Sequence, residues 1–234
     1  MEVSSEQDAL LIESYEEIGK VEGFVVAPFD NAEHPIILIQ PDNLPFPQPL
    51  PRSGQGSEYS CRTKENRAQY ERAFNCFHEA IKGGRFTKLV LSRQKTINVH
   101  IADAREVFFE ACRRYPRLMI ILVSTPQTGI WIVATPEKLL TGDGSWWRTM
   151  ALAGTMPYEE GYQEWSMKNR DEQHYVEAYI EEHLRQCSTE IIKDGPHTQR
   201  AGNLVHLCTD FRFHIAPGCY IGELLASLHP TPAV

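Results

Sequence analysis

The sequence predicts an α+β fold with large antiparallel sheets and flanking helices. Apolar runs typical of strands and amphipathic segments typical of helices are mixed along the chain and do not strictly alternate. Turn signals such as Gly142-Asp143-Gly144 separate neighbouring apolar runs, which is typical of antiparallel hairpins. No internal repeat is visible in the 234 residues, a length that suits one large domain or two small ones.

The first part of the chain predicts a helix, two strands and a linker. Residues 5–18 have the spacing of a short amphipathic helix, and Val21–Ala27 and Pro35–Gln40 read as strands. Prolines, glycines and serines dominate Pro41–Ser60, which predicts a loop or linker. We therefore assign residues 1–65 to N-terminal strands and a proline-rich linker, and residues 66–234 to the main part of the same domain.

The remaining elements follow from apolar spacing. Helices are predicted at Asn66–Lys82, Asp103–Tyr115 and Tyr162–Arg185, with a short one inside Tyr220–Val234. Strands are predicted at Phe86–Arg93, Leu118–Ser124, Ile130–Ala134 and Leu204–Ile215. The second and third of these strands are apolar on both faces, which predicts a buried sheet centre. In the last strand, alternation places Val205 and Phe211 on one face and His206 and Cys208 on the other.

A candidate polar pocket lies around the stretch from Trp131 to Thr155. Glu137 follows the apolar run that ends at Thr135-Pro136, and Ala153-Gly154-Thr155 closes a later run with small residues. Small residues allow a ligand to approach backbone N–H groups closely, so these positions predict a pocket at a sheet rim. The alternative is that Glu137 is a solvated turn carboxylate and Gly154 an ordinary turn glycine.

Composition limits the classes of function. A net charge of −8 gives no electrostatic support for nucleic-acid binding, and no apolar run reaches membrane-spanning length. The acidic N-terminus has no signal-peptide pattern, so we expect a cytoplasmic protein. The six cysteines form no C-x-x-C pair and the nine histidines show no metal-binding spacing, which favours reduced thiols and argues against a dedicated transition-metal centre.

Several short motifs occur in one order between Phe86 and Val234. They are KLVLSR at Lys88–Arg93, ATPEKLL at Ala134–Leu140, ALAGT at Ala151–Thr155, KNRDEQ at Lys168–Gln173, VHLCT at Val205–Thr209 and LHPTPAV at Leu228–Val234. Together they resemble the chorismate-utilising enzymes, and within that family the isochorismate synthases. The resemblance implies the chorismate-utilising (ADC synthase-like) fold, with residues 66–234 as the N-terminal part of its chorismate-binding catalytic domain.

The resemblance implies an acid–base pair. Lys88 would be the general base that activates water for attack at C2 of chorismate, and Glu137 the general acid that protonates the departing C4 hydroxyl. The residue types suit these roles if the surroundings perturb both groups, because a lysine base must lose its proton from a reference pKa of about 10.4. The glutamic acid must instead keep its proton near neutral pH.

The resemblance also implies a ligand set. Mg²⁺ would bridge a carboxylate of chorismate to protein glutamates, with Glu172 as one ligand. Substrate-binding positions would be Ala153, Gly154, Thr155, His206, Thr231 and Ala233. Without the family match, Glu172 would be read as a helix-face carboxylate and His206 as a hydrogen-bonded sheet histidine.

Three readings of the function stay open. The first is an isochorismate synthase of menaquinone synthesis, with siderophore or salicylate pathways as alternatives. The second is a salicylate synthase, which also eliminates pyruvate. The lysine at position 88 separates the chain from the ammonia-using relatives, but salicylate synthases share it. The third is a catalytically silent binding module. Family members continue beyond LHPTPAV with further ligands, so we expect these residues alone to bind Mg²⁺ and chorismate poorly and to be inactive; the oligomeric state is not predicted.

Overall fold

A computed structural model describes residues 9–20, 22–30, 34–40, 63–95, 103–161 and 164–233, with only the backbone described for residues 63–66. The described residues form two compact units, one drawn from Met1–Gln48 and Phe108–Ala233 and the other from Pro49–Val107. Helices and antiparallel strands are mixed in order along the chain, which confirms the predicted α+β class.

The first unit contains most of the described secondary structure. Its strands are β1 Leu10–Ile12, β2 Phe24–Val26, β3 Ile36–Ile39, β4 Met119–Thr125, β5 Gly129–Thr135, β6 Thr141–Gly142, β7 Trp147–Pro157, β8 Ser188–Ala201 and β9 Leu204–Ile215. Its helices are α3 Met167–Cys187 and α4 Ile221–Leu228, and the unit boundary falls within α2 Ala104–Arg114. None of the helices in the described part of the chain is both long and apolar enough to span a membrane.

A small antiparallel sheet of order β1-β3-β2 lies near the start of the chain. Its strands β2 and β3 confirm the predicted pair. The predicted helix at residues 5–18 is wrong in its described part, where Leu10–Ile12 pairs with Ile36–Leu38 and a 3₁₀ turn spans Tyr15–Glu17. Pairing with β3 supplies the backbone hydrogen bonds of β1, and the Ser14 side chain caps the turn, so tertiary contacts override the weak helical spacing.

Strands β4 and β5 form a two-stranded antiparallel hairpin with continuous pairing from Met119–Thr135 to Thr125–Gly129. Both strands were predicted, but their location at a buried sheet centre is wrong. Most of its residues are exposed or half-buried, and Trp131 is 57% exposed. Among the described residues each strand pairs only with the other, so neither flank of the hairpin is covered by a further strand.

The main core lies on one face of a four-stranded sheet of order β6-β7-β9-β8. Helices α3 and α4 cover this face. The core residues come from β7, β9 and both helices, and they are Ala151, Ala153, Val176, Ile180, Leu184, Cys187, Phe211, Phe213, Leu224 and Leu228. Strand β9 has the bounds and the buried face that alternation predicted, and α3 begins at Met167 after its Ser166 cap instead of at Tyr162.

The second unit contains helix α1, Thr63–Lys82, which ends as predicted at Gly83-Gly84. The strand predicted at Phe86–Arg93 is wrong, because those residues are neither helix nor strand. A segment becomes a strand only when a neighbouring strand accepts and donates its backbone hydrogen bonds, and the apolar pattern alone does not supply that partner. The proline-rich linker at Pro41–Ser60 lies outside the described residues.

Candidate active site

A β-bulge at Gly154 is the centre of the predicted pocket. Ala153 pairs with Leu207 and Thr155 pairs with His206, so Gly154 is the extra residue on β7. Its φ is +73°, a backbone conformation that glycine adopts readily and that glycine bulges use. A Cβ atom at this position would lie 3.1 Å from the carbonyl oxygen of Asn169 in the first turn of α3. The bulge therefore brings the backbone of β7 against the N-terminal end of α3.

The bulge also aligns Thr155 with His206. The Oγ1 atom of Thr155 lies 3.1 Å from Nδ1 of His206, with the donor set by the imidazole tautomer. Thr155 is exposed and His206 is half-buried. Burial lowers the pKa of His206 below its usual 6.5, and a hydrogen bond to the Gly154 backbone opposes that shift in part. A neutral imidazole and a hydroxyl thus form a polar pair beside the bulge.

Gln173 supports the inner side of the same strand. Its side chain is only 1% exposed, and its Oε1 accepts a 2.9 Å hydrogen bond from the Ala153 N–H. Its Nε2 donates to the Ala151 carbonyl at 3.0 Å and to Thr209 Oγ1 at 3.1 Å. The methyl group of Ala153 lies in the core, so Ala153 offers the pocket backbone groups and no accessible side chain.

Glu137 follows β5 closely and is half-buried. Its N–H donates a 3.1 Å hydrogen bond to Thr135 Oγ1, and the next N–H, of Lys138, points to the sulfur of Met150 at 3.4 Å. Burial and the nearby carboxylates of Asp210 and Glu137 raise the pKa of the Cys208 thiol to about 12. Glu137 therefore lies near the β9 face that also presents His206, two residues from Cys208.

Glu172 lies in α3 beside the buried stripe of that helix. Its side chain is 28% exposed and its carboxylate lies 3.6 Å from the ammonium of Lys168. The next residue is the buried Gln173, and Val176 continues the stripe. Because Asn169 of the same helix contacts Gly154, Glu172 is about one turn away from the bulge.

Thr231 and Ala233 follow α4 and lie on the helical side of the sheet. Thr231 is 6% exposed, and its Oγ1 accepts a 3.3 Å hydrogen bond from the Ala233 N–H. The Tyr179 hydroxyl of α3 donates to the carbonyls of Ser227 and Pro230, which attaches this segment to the helix. Ala233 packs against the main core.

The structure thus brings some predicted residues into direct contact and places others on neighbouring elements. Gly154, Thr155 and His206 contact one another. Glu137 lies close enough to Cys208 to interact with it electrostatically, and Cys208 is on the same sheet face as His206. Lys88 belongs to the second unit, where it is half-buried in the irregular segment after α1. The roles of all these residues stay predictions.

A cationic cleft adjoins Glu137. It has a volume of about 540 Å³, and the two neighbours of Glu137, Pro136 and Lys138, line it. Arg117, Lys138, Arg148 and Arg212 contribute positive charge to the lining, while Asp143 and Asp210 contribute negative charge. In a protein of net charge −8 this surface attracts anions locally. These arginines were not among the predicted site residues, although the alternation of β9 places Asp210 and Arg212 on the face of His206.

Comparisons with known proteins agree with this architecture. A family described as chorismate binding enzyme matches residues 43–234. A curated relative, the salicylate biosynthesis isochorismate synthase of Pseudomonas aeruginosa, is 29% identical over 194 aligned positions, which cover 73% of this chain and 38% of the relative. The chain therefore spans about two fifths of the length of that relative.

Two solved structures share the fold. One is the 2,3-dihydroxybenzoate-specific isochorismate synthase DhbC of Bacillus anthracis, with a TM-score of 0.75 and 19% identity over 99% of this chain and 70% of that one. The other is MenF, the menaquinone-specific isochorismate synthase of Escherichia coli, with a TM-score of 0.51 and 19% identity over 60% of this chain and 34% of that one. These similarities confirm the predicted fold.

Proposed function

The chain belongs to the chorismate binding enzyme family, and from that membership we propose that its protein converts chorismate to isochorismate with Mg²⁺ as cofactor. One structural observation supports this most directly: Glu137 borders a cationic cleft on the sheet face that also presents Thr155 and His206. A candidate proton donor, hydrogen-bonding groups and a surface for anions are thus on one side of one sheet, as a dicarboxylate substrate requires.

The proposed reaction needs one base and one acid. Lys88 takes a proton from water as the water oxygen bonds to C2, the double bond shifts, and the C4–O bond breaks. Glu137 gives its proton to the departing hydroxyl, which leaves as water. The reaction is an isomerisation, because the water that is added and the water that leaves balance.

The first turn of α3 suits the binding of a carboxylate. It contains no acidic residue and it contains Lys168, while the helix dipole adds partial positive charge at this end. The Gly154 bulge lies against this turn, and the neutral imidazole of His206 and the hydroxyl of Thr155 can each hold a substrate oxygen. Together these groups orient the ring of the substrate without adding a negative charge.

The proposed Mg²⁺ ion would use Glu172. Its partly buried carboxylate is a hard oxygen donor, which fits a cation that keeps several waters and binds one or two carboxylates with its substrate. Lys168 at 3.6 Å competes for the same carboxylate. When bound, the ion would neutralise a substrate carboxylate in an acidic protein.

A second candidate is conversion of chorismate to salicylate and pyruvate. The Pseudomonas aeruginosa relative is named an isochorismate synthase of salicylate biosynthesis, which links the family to this product but does not assign the loss of pyruvate to that relative. The menaquinone pathway predicted from the sequence stays a prediction, because the names of the similar proteins refer to three different products.

Turnover of chorismate with Mg²⁺, followed by chromatography, tests the proposal. Lys88→Ala and Glu137→Gln should abolish isochorismate formation, whereas the exposed controls Lys82→Ala and Glu79→Gln of α1 should leave it unchanged. The 234 residues should be assayed beside the longest form of the protein that can be produced, since they cover 38% of the curated relative.

The products separate the candidates. Salicylate and pyruvate would replace the first proposal with the second. Binding of chorismate in calorimetry without any product would indicate a silent binding module. Retained turnover in Glu137→Gln would contradict the assignment of the acid, and the absence of both binding and turnover from the longest form would contradict the proposed function.

A further inference from the structure

A cluster of three potential metal ligands lies on strands β8 and β9. His197 of β8 is the direct pairing partner of Cys208 of β9, and Asp210 follows on the same face of β9. One donor atom from each residue lies within 4.8 Å of the other two. The Nε2 atom of His197 lies 3.6 Å from Oδ2 of Asp210. We call these residues the β8–β9 cluster.

The backbone fixes the positions of these ligands. Directly opposed residues of an antiparallel pair have Cβ atoms about 4.5–5.5 Å apart, and residues two apart on one strand share a face. Register on β8 and β9 therefore sets the spacing of all three side chains before any ion binds. The thiol of Cys208 is 0% exposed, while His197 and Asp210 are exposed and flank it.

The donor types match a borderline-soft divalent cation. Bonds of about 2.0–2.3 Å to nitrogen, oxygen and sulfur place the donors of a tetrahedral Zn²⁺ about 3.3–3.8 Å apart. The His197–Asp210 pair already has this separation, and the Cys208 sulfur lies within 4.8 Å of both donor atoms. Cysteine, histidine and aspartate are all zinc ligands, and three protein ligands with one open position are a common zinc arrangement.

We propose that the β8–β9 cluster is a binding site for Zn²⁺ or a similar thiophilic cation, separate from the Mg²⁺ ligand Glu172. On binding, the Cys208 S–H bond breaks, a metal–sulfur bond forms, and the proton passes to solvent, with no change of oxidation state. His197 binds as neutral imidazole and Asp210 as carboxylate, and water occupies the fourth position. The sequence spacing did not indicate this site, because histidine and cysteine come together by strand register.

The position of the cluster suggests a consequence for catalysis, which rests on the proposed function. Cys208 lies near Glu137, and Asp210 also lines the cationic cleft. An ion bound at the β8–β9 cluster takes Asp210 as a ligand and adds positive charge to the wall of the cleft. Zinc bound there should therefore change the KM for chorismate.

Titration of the reduced, metal-free protein with Zn²⁺ and with Cd²⁺ tests the site directly. Calorimetry should show one thiol-dependent site, and Cd²⁺ should give the ultraviolet charge-transfer band of a cadmium–thiolate bond. His197→Ala and Asp210→Ala, which change exposed residues, should each weaken Zn²⁺ binding roughly 10-fold or more. Cys208→Ala should remove the cadmium band, and circular dichroism should verify that this buried variant folds.

A second thiol cluster provides the matched control. The donor atoms of Cys187, Cys219 and Glu223 also lie within 4.8 Å of one another. The variant Cys219→Ser should keep both the band and the affinity if the β8–β9 cluster is the site. Loss of the band in Cys219→Ser alone, or unchanged binding in His197→Ala and Asp210→Ala, would overturn the proposal. Zinc binding without a change in KM would overturn only the effect on the cleft, so failure of the site and failure of the proposed function are distinguishable.

Discussion

Gln173 shows how one buried polar side chain can hold a strand in place. It accepts from the Ala153 N–H and donates to the Ala151 carbonyl and to Thr209 Oγ1. These bonds join α3 to both β7 and β9 just before the bulge. Since the side chain is almost fully buried, each partner that loses its bond must remain desolvated.

We expect Gln173→Leu to lower the free energy of unfolding by about 2–3 kcal/mol, because leucine fills the volume but leaves buried polar groups without partners. Urea denaturation monitored by circular dichroism measures the change. His174→Ala, at the adjacent exposed position of α3, should stay within about 0.5 kcal/mol of the wild type. A Gln173→Leu variant as stable as the wild type would show that apolar packing, without these hydrogen bonds, is enough to hold α3 against β7 and β9.

The half-buried imidazole of His206 should make stability depend on pH. Burial lowers its pKa in the folded state below the unfolded value of 6.5, so the unfolded chain binds the proton more readily. The stabilisation from neutral His206 is present above that value and is lost as pH falls through it towards the folded pKa. Unfolding free energies between about pH 7.5 and about pH 5 should therefore fall more steeply for the wild type than for His206→Gln.

A proton NMR titration offers an independent measurement for the same residue. The signal that disappears in His206→Gln identifies His206, and its midpoint should lie below 6.5. A midpoint for His206 above 6.5 would mean that its hydrogen bond to the Gly154 backbone outweighs burial.

At the scale of elements, two glycine variants can separate two contributions to stability. One is the close contact between the β7 bulge and α3, and the other is the backbone strain of a positive φ. Gly154 and Gly144 both have positive φ, at +73° and +92°. A Cβ atom at Gly154 would meet Asn169, whereas one at Gly144 would meet nothing within 4 Å. Both Gly154→Ala and Gly144→Ala should lose about 1 kcal/mol because alanine disfavours this conformation.

Gly154→Ala should lose more than Gly144→Ala, because the new methyl group must also push α3 from the strand. Thermal unfolding of the two variants, compared with the wild type, gives the difference. Equal losses would indicate that α3 adjusts to the methyl group without cost. Under the proposed function, a rise in KM for chorismate in Gly154→Ala only would link the same contact to the substrate pocket.

Elements with strong patterns were predictable from the sequence, and elements that depend on a partner were not. Strand β9 was predicted with its full bounds because apolar residues alternate along it. Strand β8 was missed because Ser188–Ala201 is largely polar and contains Gly195-Pro196, a pair that is more typical of turns than of strands. The strand predicted around Lys88 shows the opposite error, since an apolar run without a described partner strand is not a strand.

The sequence indicated residues for a candidate site, whose roles stay predictions, but it did not indicate the contacts that hold them. The motifs indicated Gly154, Thr155 and His206, and the structure places these three in contact. The bulge itself depends on the register between β7 and β9, which sequence does not specify locally. The β8–β9 cluster could not be predicted either, because His197 belongs to strand β8, which the apolar pattern did not indicate.

At the scale of the whole molecule, burial is uneven within the first unit. The β7 and β9 strands and α3 contribute most of its main core, while the β4–β5 hairpin is largely exposed. Local opening is cheapest where few apolar contacts are lost, so the hairpin should open without unfolding the four-stranded sheet. The sheet and α3 should open only with global unfolding.

Hydrogen–deuterium exchange read by mass spectrometry measures this difference. Peptides from Met119–Thr135 should exchange faster than peptides from Leu204–Ile215 and Met167–Cys187 under native conditions. Gln173→Leu should speed exchange in β7 and β9 much more than in the hairpin, because its hydrogen bonds join α3 to those two strands. Equal protection of the hairpin and β9 would contradict this prediction, since it would mean that the exposed hairpin unfolds together with the core.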